Sequence, residues 1–329
     1  MVMYEHILDN LNYGYKNFDK GEICFIDIET TGFSHKYNTI YLIGLVHYSY
    51  KDTSWKLVQF FAENSNDEQN ILYQFNEYIK SFKVAITYNG DSFDIPFIES
   101  RLKKYNIQSN LKNMESFDIY RKIKLEGPYL NLDNLKLKTL EESIGIFRND
   151  KYTGKDCIDF YNQYVDSKDE ELLERLLNHN YDDLYYLVPI MNIFSIIEDA
   201  KSLIINKDGK EIKLSIEHME LKGDIFKIYC KTSCKDNNIV YFADNYNFQW
   251  VDDVLNIDLQ YKKGLITPTK KCLFVDTTNW PIRDCLKDLS QYMTPVNVML
   301  LKVEQKYIMD NIKLIIKEII LSSNRVGGK

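Results

Sequence analysis

Long apolar runs are missing from this chain of 329 residues, and none approaches the roughly 18 consecutive apolar residues of a membrane-spanning helix. No basic-then-apolar leader opens it either. Glu5 and Asp9 interrupt Met1–Leu11, so a cytoplasmic location with no membrane partner is expected. Proline and glycine are sparse, at 6 and 13, which excludes a fibrous or low-complexity chain. Cysteine is also scarce. The six residues Cys24, Cys157, Cys230, Cys234, Cys272 and Cys285 are expected as free thiols in a reducing compartment. Cys230, Cys234, Cys272 and Cys285 match no familiar zinc spacing. Excess positive charge is absent, with a net of −7. Residues 201–329 hold 20 Lys/Arg against 16 Asp/Glu, a net of +4, which leaves residues 1–200 at −11. That asymmetry speaks against a simple electrostatic nucleic-acid binder. It suits an acidic, metal-binding part beside a mildly basic one.

What is present reads as a folded globular protein: 45% hydrophobic and 27% charged residues. The 25 Tyr and 17 Phe fit either a compositional bias or stacking platforms for bases. Residues 1–20 suggest a short helical lead-in. Ile23–Ile28 is a nearly unbroken apolar run, the mark of a strand buried on both faces. Residues 39–50, 55–61, 84–88 and 116–123 read as strands, and 67–82 and 97–104 as helices. A helix starts at Ser167, with Ser167 and Glu170 as a capping box and Pro189 near its end. After residue 200 the texture changes to short strands, starting with a hairpin around Lys207–Lys210 and closing in a helix over 305–321. The reading is an α/β domain over residues 1–200 and a smaller β-rich α+β domain over 201–329.

Three segments carry chemistry. In Phe25-Ile26-Asp27-Ile28-Glu29-Thr30-Thr31-Gly32 a strand ends in two acids spaced i, i+2, which project from one face. Such a pair suits Mg2+ or Mn2+, although two solvated surface acids would look the same. In Asn89-Gly90-Asp91-Ser92-Phe93-Asp94-Ile95-Pro96-Phe97 a strand turns into a helix. Asp94 fits a helix N-cap, and equally a functional acid at a strand's C-terminal end. In His179-Asn180-Tyr181-Asp182-Asp183, His179 and Asp183 share a helical face. There they form either an ordinary His–Asp pair or a metal and water site.

In this order the three segments resemble the DEDD superfamily of 3′→5′ exonucleases, over roughly residues 21–197. The string Asn89–Phe97 is similar to the second exonuclease motif of family B DNA polymerases. Residues 137–146, with His179-Asn180 before Asp183, are more similar to the YprB-like bacterial branch. Residues 201–329 are too few for polymerase palm and fingers, so a free-standing member of that branch is expected. One departure stands out: the third motif is His-x3-Asp, with tyrosine-type spacing but a histidine.

The resemblance implies a ribonuclease-H-like mixed sheet with flanking helices. It also implies hydrolysis of single-stranded DNA or RNA from a free 3′ end with two Mg2+ or Mn2+ about 3.5–4 Å apart. By resemblance, Asp27 bridges both ions, Glu29 and Asp183 hold the one bearing the nucleophile, and Asp94 supports the second. His179 orients or deprotonates the attacking water, a role that an ordinary imidazole pKa near about 6.5 suits. Thr30, Thr31, Gly32 and Phe33 would contact the terminal nucleotide, with Asn89 beside them. The irregular third motif keeps a second reading open: a nucleic-acid-binding or adaptor protein on the same scaffold with weak or lost catalysis. In the second domain, Tyr241, Phe242, Tyr246, Phe248 and Trp250 before Tyr261-Lys262-Lys263 fit either a β-rich core or a guide for a single strand.

Overall fold

The computed structural model describes residues 1–326, except 10, 131, 149–150, 236–237 and 244, and not the side chains of 324–326. The chain divides into two compact units, one of Met1–Leu125 with Leu132–Ser195 and the other of Glu126–Asn131 with Ile196–Lys329.

The first unit is built on strands β1 (Val2–Leu8), β2 (Ile23–Thr30), β3 (Ile40–Ser49), β4 (Ser54–Phe61), β5 (Val84–Thr87) and β6 (Glu115–Asp118). Their order is β1-β4-β3-β2-β5-β6, with β2, β5 and β6 parallel and the rest antiparallel. Helices α1 (Glu68–Tyr78), α2 (Asp94–Lys104), α3 (Ile119–Glu126), α4 (Leu137–Ser143), α5 (Gly154–Ser167) and α6 (Glu170–Ile190) accompany the sheet. This is the expected mixed α/β layering. β2 is central, so Ile23–Ile26 are at most 1% exposed. Removing a core ring such as Phe25 would cost about 3–5 kcal/mol.

Four local expectations give way. The lead-in is strand β1, because β4 offers a free edge and the N-terminal ammonium anchors the start on Glu63 and Asp67 at 2.8 and 2.7 Å. The strand expected over 116–123 stops at Asp118. Asp118 accepts from the Arg121 amide at 3.2 Å, and α3 starts there. Ser167 closes α5 instead of opening the next helix. Lys168 turns left-handed at φ 56°, and Asp169 caps α6 by accepting from Glu171 N. Asp94 is the first residue of α2, with Phe93 at the N-cap, and its carboxylate accepts from the Ile28 amide.

The second unit holds α7 (Ile193–Lys201) after Ile196, then β7 (Ser202–Lys207), β8 (Lys210–Lys222), β9 (Ile225–Thr232), β10 (Asn238–Phe242), β11 (Tyr246–Val251) and β12 (Val254–Gln260). These six strands form an antiparallel sheet in the order β10-β11-β12-β9-β8-β7. A second sheet joins β13 (Lys262–Leu265), β14 (Lys271–Asp276), β15 (Val298–Val303) and β16 (Lys306–Tyr307), and α8 (Met309–Val326) follows. The closing helix starts after residue 305 because Lys306 and Tyr307 pair with β15. Tyr246, Phe248, Trp250 and Tyr261 are buried with Ile312, Ile315 and Ile319 of α8, so they form core and not a base-stacking track. The four cysteines considered for zinc are not a ligand set. Cys230 and Cys272 lie in different apolar clusters, Cys285 is exposed, and all are free thiols.

Candidate metal centre

The centre is organised by one row across the sheet. Asp27 on β2 is opposite Gly44 on β3, which is opposite Gln59 on β4. A side chain at position 44 would put its Cβ 2.2 Å from Asn180 Oδ1 and 2.3 Å from Leu184 Cδ1. Only glycine therefore lets α6 approach β3 this closely. Through that gap the fully buried Asn180 donates from Nδ2 to Asp27 Oδ2 at 2.8 Å and accepts from Gln59 Nε2 at 2.9 Å. One Asp27 oxygen is thus fixed by the protein.

Asp94 reaches the same place by another route. β5 pairs with β2 only from Ile23 to Phe25, so the Ile28 amide has no strand partner on that side. Asp94 Oδ1 accepts from it at 3.2 Å. α6 brings the remaining members. His179 Nε2 is 3.7 Å from Glu29 Oε1 and 3.8 Å from Asp183 Oδ2. One ligand atom from each of Glu29, His179 and Asp183 lies within 4.8 Å of the others. The Glu29 and Asp183 oxygens therefore lie close enough to share one cation, with His179 beside it.

The electrostatics call for that charge. Burial first, then Asp94, Glu29 and Asp183, hold the Asp27 carboxyl well above the usual range, against the Asn180 bond. Glu29 is pushed up to about 8 by burial, then by Asp183 and Asp94. Asp94 is pushed up to about 7 by burial, partly offset by backbone amides, with Asp118 adding to it. Like charges this close cannot all ionise without a counter-charge. The acids present therefore fit divalent cations.

Glu29, His179 and Asp183 thus form one cluster, and Asp27 and Asp94 act on its carboxylates electrostatically. The turn residues are more divided. Thr30 donates to the Gly32 carbonyl at 2.9 Å, and Thr31 exchanges bonds with Thr39, so both hydroxyls close the turn. At Gly32 a Cβ would meet Asn38 at 2.8 Å. Phe33 is 89% exposed, with its ring 6.3 Å from that of Phe93. Asn89 is exposed with φ 61°, and its amide donates to Asp118, which also receives the Asp91 amide.

Sequence reasoning missed the supports. Asn180, Gly44, Gln59 and Asp118 are four, and the hints were Asn180 beside His179 in the third segment and a glycine inside an apolar strand. Arg148 is a fifth. Its Nη2 donates to Asp183 Oδ1 at 2.7 Å and its Nε to Glu141 Oε2 at 2.9 Å. A cavity of about 480 Å³ opens beside His179, where Arg148, Lys151 and Arg175 face Glu171, Glu174 and Asp182. Its wall is balanced in charge.

The RNase_H_2 model of the RNase_H superfamily matches residues 24–195, more than half of the chain. The chain belongs to this family. The mixed sheet with its flanking helices is accordingly an RNase_H-superfamily fold. Among curated proteins none matches the chain. Similar solved structures include the family B DNA polymerase of the hyperthermophilic archaeon Pyrobaculum calidifontis, at 17% identity and a TM-score of 0.41, over 53% of this chain and 24% of the polymerase. Another is the zinc-bound E. coli ExoI–ssDNA complex, at 12% identity and a TM-score of 0.33, over 65% of this chain and 55% of that one. The RNase_H_2 chain thus spans about a quarter of the polymerase and about half of the exonuclease.

Proposed function

We propose that this RNase_H_2 chain is a metal-dependent 3′→5′ exonuclease of single-stranded DNA or RNA, from the YprB-like branch of the DEDD exonucleases. The observation that carries the reading is that Asp27, Glu29 and Asp94 carry raised pKa values with no cation beside them among the described residues, with Asp183 close to Glu29. Residues 137–146 support the branch: Glu141 in that stretch anchors Arg148, which in turn holds Asp183. A reducing, cytoplasmic setting suits the six free cysteines.

Two Mg2+ or Mn2+ would supply a more acidic attacking water and charge stabilisation of the leaving 3′ oxygen. Glu29 and Asp183 would hold one ion, Asp94 the other, and Asp27 both. Asn180 orients the Asp27 carboxylate, and Arg148 orients Asp183. His179 Nε2 faces the Glu29 and Asp183 oxygens, where it takes a proton from the attacking water. We assign it that role and not a ligand's, because hard cations prefer the oxygens around it. Phe33 is exposed for contact with a terminal base, while Thr30, Thr31, Gly32 and Asn89 shape the turns beneath.

One observation favours the alternative, a binding or adaptor protein with weak catalysis. The Arg148 guanidinium already neutralises Asp183 in part. The test is degradation of 5′-labelled single-stranded DNA and RNA, linear and circular, with Mg2+, Mn2+ or EDTA. Metal-dependent laddering from the 3′ end of linear strands, with circles intact, supports the exonuclease. Cleaved circles point to an endonuclease. No cleavage of either polymer by folded protein supports the adaptor reading.

A further inference from the structure

The second unit carries a charged surface that the proposed chemistry does not use. In its smaller sheet Lys263 is opposite Leu273, Leu273 is opposite Lys302, and Leu265 is opposite Lys271. Period-two alternation puts these five side chains on one face. One end of that face is covered: Val275, Met299 and Leu301 belong to the core packed by α8. The other end is open. It forms a cavity of about 570 Å³ walled by Leu221 of β8, Lys263, Leu265, Lys271, Leu273 and Lys302. Leu265 is 63% exposed and Leu221 43%.

The three lysines have no carboxylate partner among the described residues. Lys302 is half-buried over the Tyr307 ring at 4.9 Å, and burial alone lowers its pKa. Lys263 stands 6.0 Å from the Tyr261 ring. One acid lies at the rim, Glu304, and it accepts from the Lys271 amide at 2.5 Å. Neighbouring strands are about 4.8 Å apart, so Lys263 and Lys302 arise about 10 Å apart across a leucine floor. Three unpaired cations over apolar side chains are complementary to a chain of spaced anions that also offers flat apolar groups. A basic stripe beside the apolar floor is what the sugar-phosphate backbone and bases of a single strand require.

We infer that the open end of this sheet, Lys263, Lys271 and Lys302 around Leu221, Leu265 and Leu273, binds a segment of single-stranded nucleic acid. Phosphates lie on the lysines and bases on the leucines. The choice of nucleic acid over an acidic protein rests on the nuclease reading of the first unit. It replaces the aromatic track that the sequence suggested, since Lys262 of that track pairs with Asp276 at 2.9 Å and Tyr261 is buried.

The test uses the full chain carrying Asp27→Ala, in EDTA, so that oligomers stay intact. Fluorescence anisotropy with labelled single-stranded 12-mers of DNA and RNA is followed across a salt series. Lys263→Gln/Lys271→Gln/Lys302→Gln is compared with a control of equal charge change, Lys213→Gln/Lys231→Gln/Lys317→Gln. The expected result is at least about tenfold weaker binding for the first triple variant only. Its salt slope should also fall by about 2, near 0.7 for each lost phosphate contact. Lys263→Glu/Lys271→Glu, which changes only exposed side chains, gives the same readout if the triple variant does not fold. Two results overturn the inference: equal affinity and slope for both triple variants, or no binding of either oligomer by the parent chain. Laddering by the chain with Asp27 restored is scored separately. Laddering with binding indifferent to the lysines removes this surface and keeps the nuclease; lysine-dependent binding without laddering does the reverse.

Discussion

In the first unit Glu68, Asp94, Arg101, Asp118 and Glu141 are all buried. The buried polar side chains of the second unit, among the described residues, are Thr232, Thr277, Asn311 and Ser323, with no charge between them. The difference continues inside the first unit. Glu68 is fully compensated, receiving Arg101 Nε and Nη2 at 2.7 and 2.5 Å, Tyr105 at 2.7 Å and the Ile40 amide at 2.9 Å. It is a structural charge. Among the described residues Asp27, Glu29 and Asp94 have no cation of this kind, and they carry raised pKa values instead. Buried charge here therefore separates into a satisfied pair that fixes α1 against α2 and a set of acids that lacks such a partner among the described residues.

The largest effect expected to sharpen this comparison is on turnover. Metal ions supply several kcal/mol of transition-state stabilisation, so Asp27→Ala should lower 3′-end laddering about 1000-fold or more, with secondary structure by circular dichroism retained. Trp250→Ala should do the opposite. It removes a buried ring in the second unit, costs about 3–5 kcal/mol in chemical denaturation, and leaves the rate per folded molecule on a trinucleotide unchanged. Next come two glycines. Gly44→Ala should cost about 1–3 kcal/mol and slow laddering, because its Cβ displaces Asn180 from Asp27. Gly264→Ala, where the nearest contact is the Phe274 ring at 3.1 Å, should cost less and leave laddering unchanged. Equal behaviour of the two would break the comparison.

The smallest effect is on stability against pH. Carboxyls raised in the folded chain keep protons there that the unfolded chain has released. In EDTA, stability should therefore fall as pH rises from about 4.5 towards about 8, the ordinary and folded values for Glu29. Thermal unfolding should show a drop of a few degrees across that window, removed by Mn2+ and reduced in Glu29→Gln. A flat profile in EDTA would mean that the acids are already compensated.

Much of the first unit is legible in the sequence because its strands are buried on both faces. Ile23–Ile28 and the segments near 40–49 and 54–61 are predominantly apolar, so their type does not depend on knowing their partners. Residues 2–8 are not legible, since an edge strand alternates polar residues that serve a helix equally well. The acids are legible from motif order, whereas their supports are not. Asn180 meets Asp27 across 153 positions of sequence, and Arg148 meets Asp183 from a loop outside any motif. In the second unit the aromatic-rich strands are compatible with both a core and a surface track. Only sheet register and the position of α8 decide between them.

The most direct measurement is Mn2+ binding to the intact chain by electron paramagnetic resonance, at neutral pH and without nucleic acid. The account predicts saturable binding of two ions, weakened in Glu29→Gln and Asp94→Asn and lost in Asp27→Ala, with Glu68→Gln as an unaffected control if it folds. Binding that survives Asp27→Ala, or no binding by folded wild-type protein, would contradict it.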